Sequence, residues 1–578
     1  MNTFNSIFRP VVYCSNFIAS ICLNLTRRFV LLCCILAFAN SSISIAQADG
    51  AIEKLKIQQG KKIYREGVLP SGDFVTAVAE ADIELNGSLV ACANCHRYSG
   101  MGTNEGQTVI VPVTKEFLFQ PKTLGRKGQA VYATEGKGTR PAYETETLIR
   151  AIREGVDPAG HVFDRLMPHF NLSDNDADAL VAYLKTLHSS GSPGVDETHI
   201  HFATIITEGI DDNSKKAMID VLETFFKEKN AGTRLETRRS ENAPWHRDWK
   251  YQSYRKWALH QWELKGAAET WPAQLEEYYR QQPVFAILNG LADGSWEPMH
   301  QFCEQHELPC LFPNTDEPIV SESDYYTIYF SQGMTLEADV LGKYLNAQKD
   351  TAAPRKIVQL YRMGEKGEIA AQRMKQNFTA KNSVELINIP LQINTVPDKK
   401  FWQTLFHKNP DTDFVLWLGT KDIESISQLK ISDKTPSRLF VSSTLLPKWN
   451  TVMPVLLKTK VHAVHPYQKP SAMSMHLLRV NAWLKGRKII NKQQKIQANA
   501  YFTVRAVGRA IMHLRDKFSR EYFIELVEHV TEKMFVSSVY PRLTLAPGQR
   551  YASKGGYILK ITDKKGQSVA PVSEWLVP

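Results

Sequence analysis

This 578-residue chain predicts two folds in series: an all-α domain over residues 49–190, then a two-lobed α/β body over 199–578, with residues 191–198 as the linker. Three observations lead there. Amphipathic segments with helix-capping residues dominate the stretch before residue 190. The run His188-Ser-Ser-Gly-Ser-Pro-Gly194 is short, flexible and rich in turn formers. Beyond it, apolar extended runs alternate with helical ones, which is the pattern of a doubly wound sheet. Apolar and charged fractions of 43% and 22% exclude wholesale disorder and a polytopic membrane protein. The length suits two or three domains, each burying its own core.

Residues 1–48 read as a secretory signal with a long amino-terminal region. They hold Arg9, Arg27 and Arg28 and no acid, then the apolar run Phe29–Ala39, then Ala46-Gln47-Ala48, the small-x-small pattern at which signal peptidase cuts. The run is short for a bilayer span, and an uncleaved anchor is the alternative. Cys14, Cys22, Cys33 and Cys34 leave with the leader. Formal charge is +10, yet residues 49–190 hold 16 basic and 18 acidic side chains, so the mature excess lies in residues 191–578. Nucleic acid is not an expected partner of an exported chain; a solvated surface, or weak attraction for anionic ligands and acidic partners, is.

In the first domain, Ala51–Gly67 has helical periodicity through Ile52, Leu55, Ile57, Ile63 and Tyr64. Thr145–Glu154 is a further helix. Ser173 caps a last one, which starts with acids and carries Leu180, Val181, Tyr183, Leu184 and Leu187. Between them stand Cys92-Ala-Asn-Cys-His96 and a Gly/Thr-rich loop, Gly100–Thr108. Two thiols three positions apart, followed at once by histidine, form the attachment signature of a c-type haem: each cysteine adds across one vinyl group, and His96 lies beneath the iron. The competing readings are a zinc knuckle, which wants a second ligand pair, and a redox-active dithiol, which wants a βαβ context. A second axial ligand must come from elsewhere. Met167, stiffened by Pro168, is the candidate, with His161 and His169 as competitors.

These residues, together with Gly155-Val-Asp-Pro-Ala-Gly160, Met167-Pro-His-Phe170 and Leu172–Leu184, resemble class I cytochromes c. The resemblance implies one covalently attached haem c, thioether bonds at Cys92 and Cys95, and iron ligation by His96 and Met167. It also implies packing of the first helix, near Gly60 and Tyr64, against the last, near Leu180 and Tyr183. Two axial side chains leave iron no open position, so one-electron transfer is the expected chemistry.

In the second body, strands are expected at Ile200–Ile206, Pro283–Asn289, Arg355–Tyr361, Val384–Ile389 and Asp413–Leu418, with Thr233–Arg238 extended. Helices are expected at Ser214–Lys229, Trp296–Glu307, Glu368–Asn377 and Asp398–His407. Some 380 residues make two lobes more natural than one. Phe285-Ala-Ile-Leu-Asn-Gly290, Leu308-Pro-Cys-Leu-Phe-Pro313, Phe330–Leu341 and Lys356-Ile-Val-Gln-Leu-Tyr361 resemble type I periplasmic solute-binding proteins of the branched-chain amino acid receptor kind. That resemblance implies lobes that exchange strands around a ligand cleft. The loop Leu291–Ser295 and the stretch Phe312–Asp316 would line it, with Ser295, Asn314 and Thr315 as ligand-binding candidates whose free backbone N–H groups suit a carboxylate or other anion. The short Ser/Ala/Thr pattern of amino acid receptors is not evident.

Cys303 and Cys310 are candidates for a disulfide in an oxidising compartment, or else two buried thiols. Trp245–Tyr279 is dense in aromatics, either packed on the core or exposed as a ligand lid or docking patch. His462 and His465, lacking a third ligand, read as surface residues. No catalytic constellation is evident, so the expectation is not an enzyme. It is a periplasmic monohaem electron carrier whose receptor-like module binds a small solute or docks a redox partner. A periplasmic dehydrogenase would be the donor and a downstream cytochrome or oxidase the acceptor. The alternative is a receptor for transport or sensing in which the haem responds to redox state.

Overall fold

The computed structural model describes residues 50–578 except 106–107, 124–138, 165, 242–254, 320, 322–323, 349–354, 379–383, 431–433 and 564. The signal segment and its four cysteines therefore lie outside the described residues, as do Trp245, Trp249, Tyr251 and Tyr254. The chain separates into two compact units, with the break between Ser189 and Ser190.

In the first unit, residues 50–66 are helical, and the helices Cys92–His96, Thr145–Glu154 and Asp174–Leu184 follow. Ser173 caps the last, its hydroxyl accepting from the Asp176 N–H, which satisfies one of the free donors at a helix start. The first and last helices touch: an added Cβ at Gly60 would lie 1.9 Å from the Ala179 carbonyl oxygen, and the Tyr64 and Tyr183 rings are 5.4 Å apart. Only glycine permits that approach. The unit is not purely helical, which corrects the all-α expectation. Thr76–Val78 pairs antiparallel with Glu84–Asn86 on one side and His169–Asn171 on the other. The loops around the helices bury backbone groups, and a small sheet supplies their partners.

The second unit contains two sheets. The first is entirely parallel, in the order Tyr551–Ser553, Thr327–Ser331, Cys310–Leu311, Ala286–Leu288, His199–Thr207, Lys256–Leu264. The second runs Val384–Leu391, Arg355–Arg362, Asp413–Trp417, Arg438–Ser442, Val461–His465, Tyr557–Ile561, Val569–Pro571, with only the last two pairings antiparallel. Strands buried on both faces need continuous apolar runs, and Thr327–Ser331 and Val461–His465 are buried at every position. The chain crosses between the sheets three times, after Ser331, after His465 and after Ser553. Two lobes joined by three connections are thereby fixed by topology.

Three expectations are corrected here. Thr233–Arg238 is not extended but continues the helix Asp212–Glu241, since its Leu, Glu and Arg residues are good helix formers. His462 and His465 are buried rather than on the surface, because they sit on a strand flanked on both sides. Burial lowers both imidazoles to about 4. Cys303 and Cys310, candidates for a disulfide, are free thiols and fully buried. Burial first, and a hydrogen bond to Cys310 second, push the Cys303 thiol well above its usual range. Both sulfurs lie in a core closed to an external oxidant once the lobe has folded. The described aromatics Trp257, Trp262 and Trp271 belong to the first lobe's core, not to a lid.

Candidate functional sites

The first site is the turn Cys92–His96. Cys95 is exposed, Cys92 half-buried against the apolar core and His96 buried. The His96 ring is held by one contact: Nδ1 lies 3.0 Å from the Val111 carbonyl oxygen. A carbonyl only accepts, so Nδ1 carries the proton and Nε2 keeps its lone pair. Burial lowers the imidazole's proton affinity, and the Val111 bond acts in the opposite direction. The loop reaches His96 because Gly102, at φ +70°, lets the Ile110 carbonyl approach; a Cβ there would be 2.0 Å from that oxygen. Val111 carries no signal in the sequence, since its role is played by a backbone atom.

This donor set fits a covalently attached haem and disfavours the competing readings. Burial pushes the Cys92 thiol up to about 12, the opposite of the depressed value a redox dithiol uses. Among the described residues, no three His, Cys, Asp or Glu side chains are grouped to hold a metal ion. Met167 and Cys92 pack against the same apolar core. Of the competing histidines, His161 is exposed and pairs with Asp157 at 3.1 Å. His169 is committed to strand pairing with Val78, and its Nε2 faces Gly155, where a Cβ would lie 2.7 Å away.

The second site lies where the lobes of the second unit face each other. Asp316, in a first-lobe loop, meets Lys495 at 2.8 Å and Lys366 of the second lobe at 3.6 Å. The Lys495 ammonium also donates to the Tyr467 hydroxyl at 3.0 Å, which lies 2.9 Å from Thr444 Oγ1. Burial raises the Asp316 carboxyl's pKa, but Lys495 and Lys366 outweigh it and hold the group below its usual value. With side chains 37% and 26% exposed, the Lys495–Asp316 pair orients groups rather than adding much stability, on the order of 1 kcal/mol or less. Glu337 is different. It is buried, its Oε2 has no partner, and burial raises its carboxyl to about 7 against the opposing Ser442 and Thr444 hydroxyls.

That shift fixes a sign. A carboxyl whose folded pKa exceeds its unfolded value of 4.5 contributes stability that is complete below 4.5 and is lost as pH rises through about 7. Glu337→Gln should therefore abolish a fall in second-unit stability between pH 5 and 7.5, measured by urea denaturation at several pH values. A wild-type protein whose stability is flat across that window contradicts the assignment.

The sequence-derived candidates are distributed unevenly. Asn314 accepts from Asn499 Nδ2 at 3.0 Å, and Asn499 in turn accepts from Ser538 at 2.8 Å. Thr315 accepts from the Glu317 N–H at 3.0 Å. Ser295 is exposed and accepts from the Glu297 N–H at 3.2 Å, on a loop whose own Asp293 carboxylate takes the Thr207 hydroxyl. An internal carboxylate is a poor neighbour for an incoming anion. Sequence reasoning missed Glu337, Lys495 and Tyr467, which are far apart in the chain and match no motif.

A c-type haem-attachment fold followed by a two-lobed α/β module is the class these sites define. The cytochrome c family model matches residues 81–188, and the segment is a cytochrome c domain. The helix at 50–66 lies ahead of that match. Among solved structures, the chain is similar to a fatty acid transporter substrate-binding protein from Thermomonospora curvata, with 14% identity and a TM-score of 0.44, covering 67% of this chain and 95% of that one. It is also similar to a leucine-binding protein from Thermotoga maritima, with 12% identity and a TM-score of 0.45, covering 66% and 99%. A third is a branched-chain amino acid transporter protein from Thermus thermophilus with bound valine, with 10% identity and a TM-score of 0.45, covering 66% and 97%. A search of curated proteins finds no match. No helix among the described residues is long and apolar enough to cross a membrane.

Proposed function

We propose that the chain is an exported electron-transfer protein with one haem c, which Cys92 and Cys95 would bond and His96 and Met167 would hold by the iron. Its two-lobed module would bind a small solute or dock a redox enzyme. The observation that carries this reading is the His96 ring, buried and locked by Val111 with Nε2 free. When bound, the haem supplies one-electron exchange; the protein's part is to orient the imidazole, hold its proton on Nδ1 and exclude water. Protein expressed in cells competent for haem attachment should show a low-spin c-type spectrum with one haem per chain by pyridine haemochrome. A colourless product, or two haems per chain, contradicts it. A periplasmic dehydrogenase is the donor to test first, by mixing it reduced with the oxidised protein and following haem reduction.

A second reading, a solute receptor in which the haem responds to redox state, is favoured by the interlobe network and its unpartnered Glu337 oxygen. A thermal-shift screen over amino acids, amides, organic acids and alcohols separates the two: ligand at 100 times its Kd should stabilise the second unit by about 2.7 kcal/mol. Uniform silence across the screen leaves docking as the module's role.

A further inference from the structure

On the first lobe of the second unit, a shallow recess of about 10 Å³, room for about one water, is lined by Arg479, Arg505 and Arg509 together with Phe502, Met534, Phe535 and Ser537. No acidic residue lines it. Elsewhere in the same unit several arginines are ion-paired, Arg362 with Asp422, Arg373 with Asp339, Arg438 with Asp413, Arg487 with Glu228 and Arg550 with Glu528, while Arg520 and Arg255 donate to backbone carbonyls. The three in the recess make no ion pair among the described residues. Arg479 instead stacks on the Phe535 ring at 4.6 Å, which restrains its guanidinium, and Phe535 is 59% exposed.

Arg505 and Arg509 are four apart on the helix Gln494–Leu514, so their like charges share one face and repel. Three guanidinium groups converging without a counter-charge are the donor set that planar or tetrahedral oxyanions take. The enclosed volume is far below that of a drug-sized site, so an anion would be held at the mouth, where Arg479 and Arg509 are exposed. We propose that this recess binds a compact oxyanion, a phosphate or carboxylate group, either free or carried by a larger molecule.

The test uses the full-length exported holoprotein. Sodium phosphate and sodium citrate are titrated at constant ionic strength, with sodium chloride as control, and binding is followed by calorimetry and thermal shift. Saturable binding of phosphate or of citrate is expected, with Arg505→Gln and Arg509→Gln each weakening it at least tenfold. Saturation by phosphate alone assigns a phosphate group, and saturation by citrate alone a carboxylate. The exposed Arg479 and Arg509 carry the test if the half-buried Arg505 variant fails to fold. Shifts that follow ionic strength alone, or that are equal in wild type and the glutamine variants, overturn the proposal.

Discussion

Replacing Met167 with alanine should abolish the weak red absorption band of sulfur-to-ferric-iron ligation and lower the haem midpoint potential, while leaving haem attached. Attachment would depend on Cys92 and Cys95, whereas a thioether supplied by Met167 would favour the reduced iron and raise the potential. Met167 is half-buried against the core that also contacts Cys92, and its N–H bonds to Asp164 at 3.0 Å, which together with Pro168 restrains the loop. Spectra and redox titration of the purified variant read both effects. A wild type without the band, or a variant that keeps it, removes Met167 from the site and returns attention to His161 and His169.

Asp422→Ala should destabilise the second unit by about 3–5 kcal/mol, the cost of leaving a buried charge without its partner. Asp422 and Arg362 have side-chain exposures of 5% and 6%. Arg362 also donates to the Gln392, Ile393 and Thr395 carbonyls, tying the Arg355–Arg362 strand to the segment after Val384–Leu391. Removing the carboxylate leaves the buried guanidinium only the exposed Glu365, at 3.7 Å, as counter-charge, and an arginine does not escape by losing its proton. Urea denaturation followed by tryptophan fluorescence would show the loss, and the haem spectrum of the first unit, unchanged across the same range, would serve as the internal control. An apolar replacement of both partners should recover much of the loss; a single variant as stable as wild type would show the pair to be dispensable.

Much of the architecture was legible in the sequence because its causes are local. Continuous apolar runs mark strands such as Asp413–Trp417, and Ser173 with its following acids marks a helix start. The failures have local causes too. Thr233–Arg238 is too short a window to distinguish an extended run from the tail of a long helix. The small sheet of the first unit is built from three-residue pieces whose pairing is set by the loops, not by their own pattern. His462 and His465 looked like surface residues because the sequence does not show which strand lies at the centre of a sheet.

The sequence alone carries the attachment signature of a c-type haem, because two thiols and an imidazole at this spacing need no distant partner to be recognised. Only the tertiary structure decided what surrounds them: the Val111 carbonyl that sets the imidazole tautomer is a backbone atom, available at every residue and significant at one. The same holds between the lobes, where Lys495 and Asp316 stand 179 residues apart. Their encounter depends on three chain crossings, and no periodicity or motif records where crossings bring two charges together.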